Sequence, residues 1–433
     1  MLFLAILHFL LGAFVSTNQN LATIWGSGAF FGGLLYVTKY KNRNNEASIY
    51  ASYLVGLEVV LRGIGASLPW EFGKYSTISI LILGMVVENI KYLKINILSV
   101  IYFVSLLPAI VLLPDIPFNY LRQMISSNLS GPLCLFVSFL YFRRRKYNLS
   151  DLSNTFKSLM LPIISLLGLI IFRAPALEDL RFSSEANFQM SAGFGPNQVS
   201  TVLGVSLIIV SLSRMFNLKI FPKPIYEYAF LIISIGLALL TFARGGVIAP
   251  TIAVLFGYLF SGNFKYKIQY RTIIYISVLF VGLFYLSSHF TKGMIDNRYA
   301  SLITVLDLQQ TTLSGRTRIM AIDLQIFWDN FWMGVGPGAG HHLRWVYGYE
   351  SVVGAHSEFT RMLAEHGLFG LISLLSILIL SFNEYRKRIN YNKLILACMS
   401  IFGILTMFHS AFRIALPGYI YGLSYLILNL EKK

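Results

Sequence analysis

Apolar runs of about 15 to 20 residues recur along almost the whole chain, separated only by short polar breaks, and no other feature limits the fold as strongly. A helix needs about 20 apolar residues to cross a bilayer, and in lipid only helices and closed barrels satisfy their own backbone groups. Runs of this length and number predict a polytopic helical bundle. Fourteen candidate spans are read, at 1–16, 21–38, 47–65, 76–90, 95–113, 125–142, 158–172, 197–213, 226–242, 246–260, 272–290, 367–383, 394–409 and 415–430. The expected fold is all-α with about 12 to 14 spans. The 433 residues are 56% hydrophobic and only 12% charged, with mean hydropathy +0.65. A soluble globule usually carries about 25% charge, so the chain reads as one integral membrane domain over 1–433. The first run has no basic residue before it and is followed at once by a second, so it reads as an uncleaved first helix and not a signal peptide.

Basic residues supply an orientation. Lys39, Lys41, Arg43, Lys91, Lys94, the run 143–146, Arg214, Lys219, Lys223, Lys265, Lys267, Arg271, the run 386–388, Lys393, Lys432 and Lys433 all follow even-numbered spans. The positive-inside rule puts these loops, and both termini, in the cytoplasm. Thirteen of the 35 basic residues, beyond those and Lys157, then fall on the external side or in the outer half of a span, and eleven of the thirteen are arginine. Arginine stays charged when desolvated and offers a planar fork to phosphate oxygens, so the asymmetry points to an anion site near the outer surface. The net charge of +16 is therefore largely topological, and the brief basic loops do not describe a nucleic-acid surface. Cys134 and Cys398 lie far apart inside apolar runs and imply neither a disulfide framework nor a thiolate metal site.

The longest polar segment, 291–366, is external on this count and holds the motifs. Within it, 316–330 places Ile319, Ile322, Ile326 and Phe327 on one face, an amphipathic helix suited to the membrane surface. Gly334, Gly336, Gly338 and Gly340, with Pro337, then break the chain into a turn; no preceding strand makes this a nucleotide-binding loop. A further helix is expected from Ser357 to Glu365, with Gly367 at its C-terminal end and His356 at its start. A helix N-terminus disfavours imidazolium, so His356 should be neutral near neutrality and able to accept a proton, or to sit beside a bound anion. In the third span Glu58 and Arg62 stand four apart, either a functional intramembrane charge or a structural ion pair. The adjacent His341 and His342 diverge, and Glu178, Asp179 and Glu185 are the nearest approach to clustered carboxylates, so neither metal nor other cofactor is expected.

The stretch 354–370, GAHSEFTRMLAEHGLFG, with His356, Ser357, Gly367 and Gly370 in that spacing, resembles the signature of the O-antigen ligase and polymerase family. Similar elements recur in TFARGG at 241–246, SGR at 314–316, GVGPG at 334–338 and GPN at 195–197, so the resemblance covers about 193–370. It implies transfer of a glycan from an undecaprenyl-diphosphate carrier to an acceptor hydroxyl, at the periplasmic face of the bacterial inner membrane. The acceptor would be lipid A-core for a ligase, the growing glycan for a polymerase, and a protein for a related O-oligosaccharyltransferase. Arg244 and Arg316, with Arg318, would neutralise the departing diphosphate, His356 would take the acceptor proton, and Arg62 and Asn197 would give support. A lipid transporter is the competing class, but it would carry its polar residues at mid-membrane on broken helices, not gathered at one face.

Overall fold

The structure, a computed structural model, describes residues 1–89, 93–113, 117–175, 186–260, 270–305, 315–355, 357–409 and 411–430. Among them the chain forms α1 (Leu2–Val15), α2 (Gln19–Tyr40), α3 (Glu46–Ile64), α4 (Phe72–Val87), α5 (Ile97–Val104), α6 (Phe118–Phe142), α7 (Leu149–Arg173), α8 (Pro196–Met215), α9 (Pro224–Leu240) and α10 (Gly245–Leu259). It continues through α11 (Tyr270–Phe290), α12 (Met294–Val305), α13 (Gly315–Asp329), α14 (Gly340–Val346), α15 (Glu358–Lys387), α16 (Asn390–Thr406) and α17 (Leu416–Leu423). Among the described residues seven helices are long and apolar enough to cross a bilayer, and five shorter ones are predominantly apolar. The protein is a multi-pass helical membrane protein, as the apolar runs dictate.

The core forms where small and β-branched residues let helices approach. Ala47, Ala51, Leu54, Val55 and Val59 of α3 are buried against the Leu152–Ile170 face of α7, and α8 lies against α10. A second cluster joins α5, α6, α15, α16 and α17 through Leu135, Phe139, Met362, Leu374, Leu396 and Tyr421. Polar contacts gather at two ends. At one, Arg145 donates to Glu88 at 2.7 and 2.8 Å, and a parallel pair of two-residue strands, β1 (Lys146–Tyr147) and β2 (Ile427–Leu428), joins the chain after α6 to the chain after α17. At the other end lies the long segment between α11 and α15.

Two elements differ from the sequence expectation. The run 415–430 is not one span: α17 stops after eight residues, roughly 12 Å of rise against a hydrocarbon core of about 30 Å, and the chain turns at Ser424 and Tyr425 before entering β2. The chain before it holds two single 3₁₀ turns, Met407–His409 and Ala411–Arg413. Irregular backbone within a membrane protein persists only where protein groups satisfy it, and Lys74 and Glu58 do so at Phe412 and Ala415.

Candidate functional site

The long segment folds on its own small core. Ile322 and Ile326 of α13 pack on Ala364 of α15, with Val335, Leu343, Tyr347 and Tyr349 around them. The expected apolar face of α13 is the buried one, Ile319, Ile322, Ile326 and Phe327, and Asp323 is buried with it. The expected short helix starts at Ser357 as N-cap and breaks at Gly367, whose φ of 58° and ψ of −136° are not helical. A helix that ends leaves its last carbonyls unsatisfied. Val335 N–H donates to Ala364 O at 3.1 Å and Gly336 N–H to Glu365 O at 2.9 Å, so the glycine turn caps that end. Gly334, Gly336 and Gly338 all have positive φ, as a chain reversing this tightly against a helix requires.

Buried ion pairs tie the folded segment down. Asp323 accepts from Arg344 Nε at 2.7 Å and from Thr360 Oγ1 at 2.9 Å. Burial pushes the Asp323 carboxyl up from its ordinary range, and the Arg344 guanidinium acts against that. Arg361 is clasped by Glu358 at 2.6 Å and Glu365 at 2.7 Å and also reaches Asn128 of α6. His341 is held below the usual histidine range by burial and then by neighbouring His342, so its ring is neutral at physiological pH. The His341 and His342 rings stand at 82° to one another, and the described residues bring no three His, Cys, Asp or Glu side chains together as a metal would need.

The irregular stretch 407–415 is where the polar groups meet. His409 Nε2 and Thr201 Oγ1 are 2.9 Å apart, and Thr201 donates to Asn197 O at 2.7 Å. On the other side Lys74 donates to Phe412 O at 3.3 Å, and Ala415 N–H to Glu58 at 2.6 Å. Arg413 donates to Ala355 O at 2.9 Å, so this stretch also holds the residue that precedes His356.

The sequence-derived candidates divide accordingly. Arg244, the N-cap of α10, is half-buried; beside it Gly245 abuts His409, where a Cβ would lie 2.5 Å from Nδ1. Arg316, in the first turn of α13, is half-buried and close enough for its charge to act on the His409 ring. The N-terminus of α10, which begins at Arg244, therefore abuts His409, the charge of Arg316 acts on the same ring, and Thr201, which bonds His409, also donates to the backbone carbonyl of Asn197. Arg318 is instead exposed, paired with Glu350 at 3.2 Å, and donates to Gly348 O at 2.7 Å. Arg62 belongs to a structural network, with Glu58 at 2.7 Å, Glu71 at 3.3 Å and the Trp70 ring at 4.8 Å; Lys74 pairs with the same Glu71. His356 lies outside the described residues, as do Glu178, Asp179 and Glu185. Its neighbours are placed: Ala355 and Ser357 are both buried, and the Ser357 hydroxyl has no partner among the described residues. Sequence reasoning missed His409, and it counted Arg413 among the external arginines without singling it out. An ionisable residue at or beside the end of an apolar run was the available signal for both.

Residues 229–375 match the family model described as O-antigen ligase, a stretch that holds Arg244, Arg316, Arg318 and His356 but neither Arg62 nor Asn197. No curated protein matches the chain.

Proposed function

We propose, from a chain that carries the O-antigen ligase family region over 229–375, that this protein transfers a glycan from undecaprenyl diphosphate to lipid A-core at the periplasmic face of the inner membrane. Both termini are then cytoplasmic, and the folded segment 291–366 is periplasmic. The donor is already activated, so the acceptor hydroxyl attacks the anomeric carbon, the bond from that carbon to the diphosphate oxygen breaks, and the hydroxyl proton passes to His356. Undecaprenyl diphosphate leaves with the electron pair. Its growing charge is met by Arg244 and Arg316, whose fixed guanidinium groups need no reorganisation during the reaction. The transfer needs no metal, since arginine supplies the charge that a divalent cation would otherwise bring.

The observation that supports this reading is that the N-terminus of α10, which begins at Arg244, abuts buried His409, while the charge of Arg316, 72 positions further along the sequence, acts on the same ring. A deletion strain tests it through its lipopolysaccharide profile. Loss of polymer from the core, with long chains retained on the carrier, is the expected result. Single repeat units on the core would make the protein a polymerase of the same family, and an unchanged profile would remove it from this process.

A further inference from the structure

We propose that Arg413 is a diphosphate-binding residue of the same site, in addition to Arg244 and Arg316; the inference rests on the donor reading above. It comes from comparing the guanidinium groups at this end of the protein. Arg62, Arg344 and Arg361 are each neutralised by a carboxylate within 2.7 Å, and Arg318 by Glu350 at 3.2 Å. Arg413 has no carboxylate within ion-pairing distance among the described residues, and one hydrogen bond, from Nη2 to Ala355 O, is what holds it. The acidic group that acts most on its charge, Glu358, is already clasped by Arg361 at 2.6 Å. Arg361 and Arg344 also act on it, and each is already paired with carboxylates of its own.

Position and access agree with that role. Arg413 is exposed, although the residues on both sides of it are buried and Lys74 fixes the carbonyl of Phe412. An exposed cation on a fixed backbone, with most of its five N–H donors uncommitted, can offer the planar fork that phosphate oxygens accept in pairs. Its one bond is to the carbonyl next to His356. Arg344 Nη1 likewise donates to Val353 O at 3.0 Å, so two guanidinium groups hold the 353–355 segment that precedes the histidine. A diphosphate seated on Arg413 would lie against the N-terminus of α15, where the buried Ser357 hydroxyl has no partner among the described residues. The histidine and the leaving group would then be set against one another through a single residue.

The experiment is a binding titration of the full-length protein in lipid nanodiscs, by native mass spectrometry, with undecaprenyl diphosphate and with undecaprenol as the uncharged comparison. Arg413→Gln should weaken undecaprenyl diphosphate binding about ten- to hundredfold, the scale of a lost charge-assisted pair, and leave undecaprenol unchanged. Arg413→Lys should fall between the two, keeping the charge and losing the fork. Where the glutamine variant does not accumulate, the lysine variant decides alone. Wild-type binding of diphosphate by either variant, while Arg244→Gln binds it weakly, would overturn the assignment and leave the donor reading intact. Equal losses for both lipids would overturn it in favour of a purely structural residue. A wild type that binds undecaprenyl diphosphate no better than undecaprenol would overturn the donor reading itself.

Discussion

Gly367→Ala should detach the glycine turn from α15 without unfolding the bundle. A Cβ at Gly367 would lie 2.5 Å from both Gly334 N and Phe331 O and 2.8 Å from Met333 N, all backbone atoms that no side-chain rotation can move. Ordinary contacts are about 3.5 to 4 Å, so the 331–334 backbone must retreat by about 1 Å. That retreat breaks the bonds from Val335 to Ala364, Gly336 to Glu365 and Leu368 to Phe331, at 3.1, 2.9 and 2.6 Å. Three such bonds contribute roughly 1 kcal/mol each, and alanine at φ 58°, ψ −136° adds about 1 to 3 kcal/mol of strain. The local cost is then roughly 4 to 6 kcal/mol, enough to open a docked element whose neighbours stay folded. Hydrogen exchange in nanodiscs should show the amides of Val335, Gly336 and Leu368 exchanging at least about a hundredfold faster, with α3 and α7 unchanged. Gly348→Ala is the control, since its φ of 87° brings strain but no heavy atom lies within 4 Å of the added methyl. Gly334→Ala should break the same contact, so the double variant should be little worse than either single one. Wild-type exchange and wild-type transfer in Gly367→Ala would refute the claim that this contact holds the segment in place.

Arg244→Lys and Arg316→Lys should each insert and accumulate normally yet lower transfer by about tenfold or more, because an ammonium lacks the fork; EDTA or added magnesium should change the wild-type rate little, and strong EDTA inhibition of reconstituted protein would mean that a metal takes part. His356→Ala should bind the lipid-linked donor nearly as well as wild type and lose about a hundredfold or more in transfer, the scale of a missing general base; a parallel fall in donor affinity would make it a diphosphate ligand, and near-normal transfer would leave it neither. Single cysteines at Ser351 and Asn390, in a background lacking Cys134 and Cys398, should respectively label and fail to label with an impermeant maleimide on spheroplasts, and the reverse pattern would invert the orientation.

What the sequence disclosed and what it withheld divide along physical lines. The spans were legible because lipid imposes a length and a composition on each helix separately. The face of α13 was legible because Ile319, Ile322 and Ile326 recur at the helical period, and the break in α15 because few residues other than glycine could end a helix at Gly367 with a second backbone pressed against it. Those features are local. The Glu58–Arg62 pair was also visible as i, i+4 spacing, but spacing could not say whether the charge was spent, and contact with Glu71 shows that it is.

The stretch 407–415 was illegible for the opposite reason. Its sequence, MFHSAFRIA, has the hydropathy of a continuing span, and none of its partners is near in the chain: Thr201, Gly245, Lys74, Glu58 and Ala355 lie between 58 and 357 positions away along the contacts that define it. Nothing in a periodicity argument can bring such residues together. What hydropathy offered was weaker but real, since two basic residues, His409 and Arg413, sit four apart, one at the end of an apolar run and one in the short break before the next. An ionisable group tolerated there has a partner or a task. His409 has a partner in Thr201. Arg413 has a backbone carbonyl and an open face, and a cation left in that condition beside the His356 turn is better explained by an anion that comes and goes than by packing.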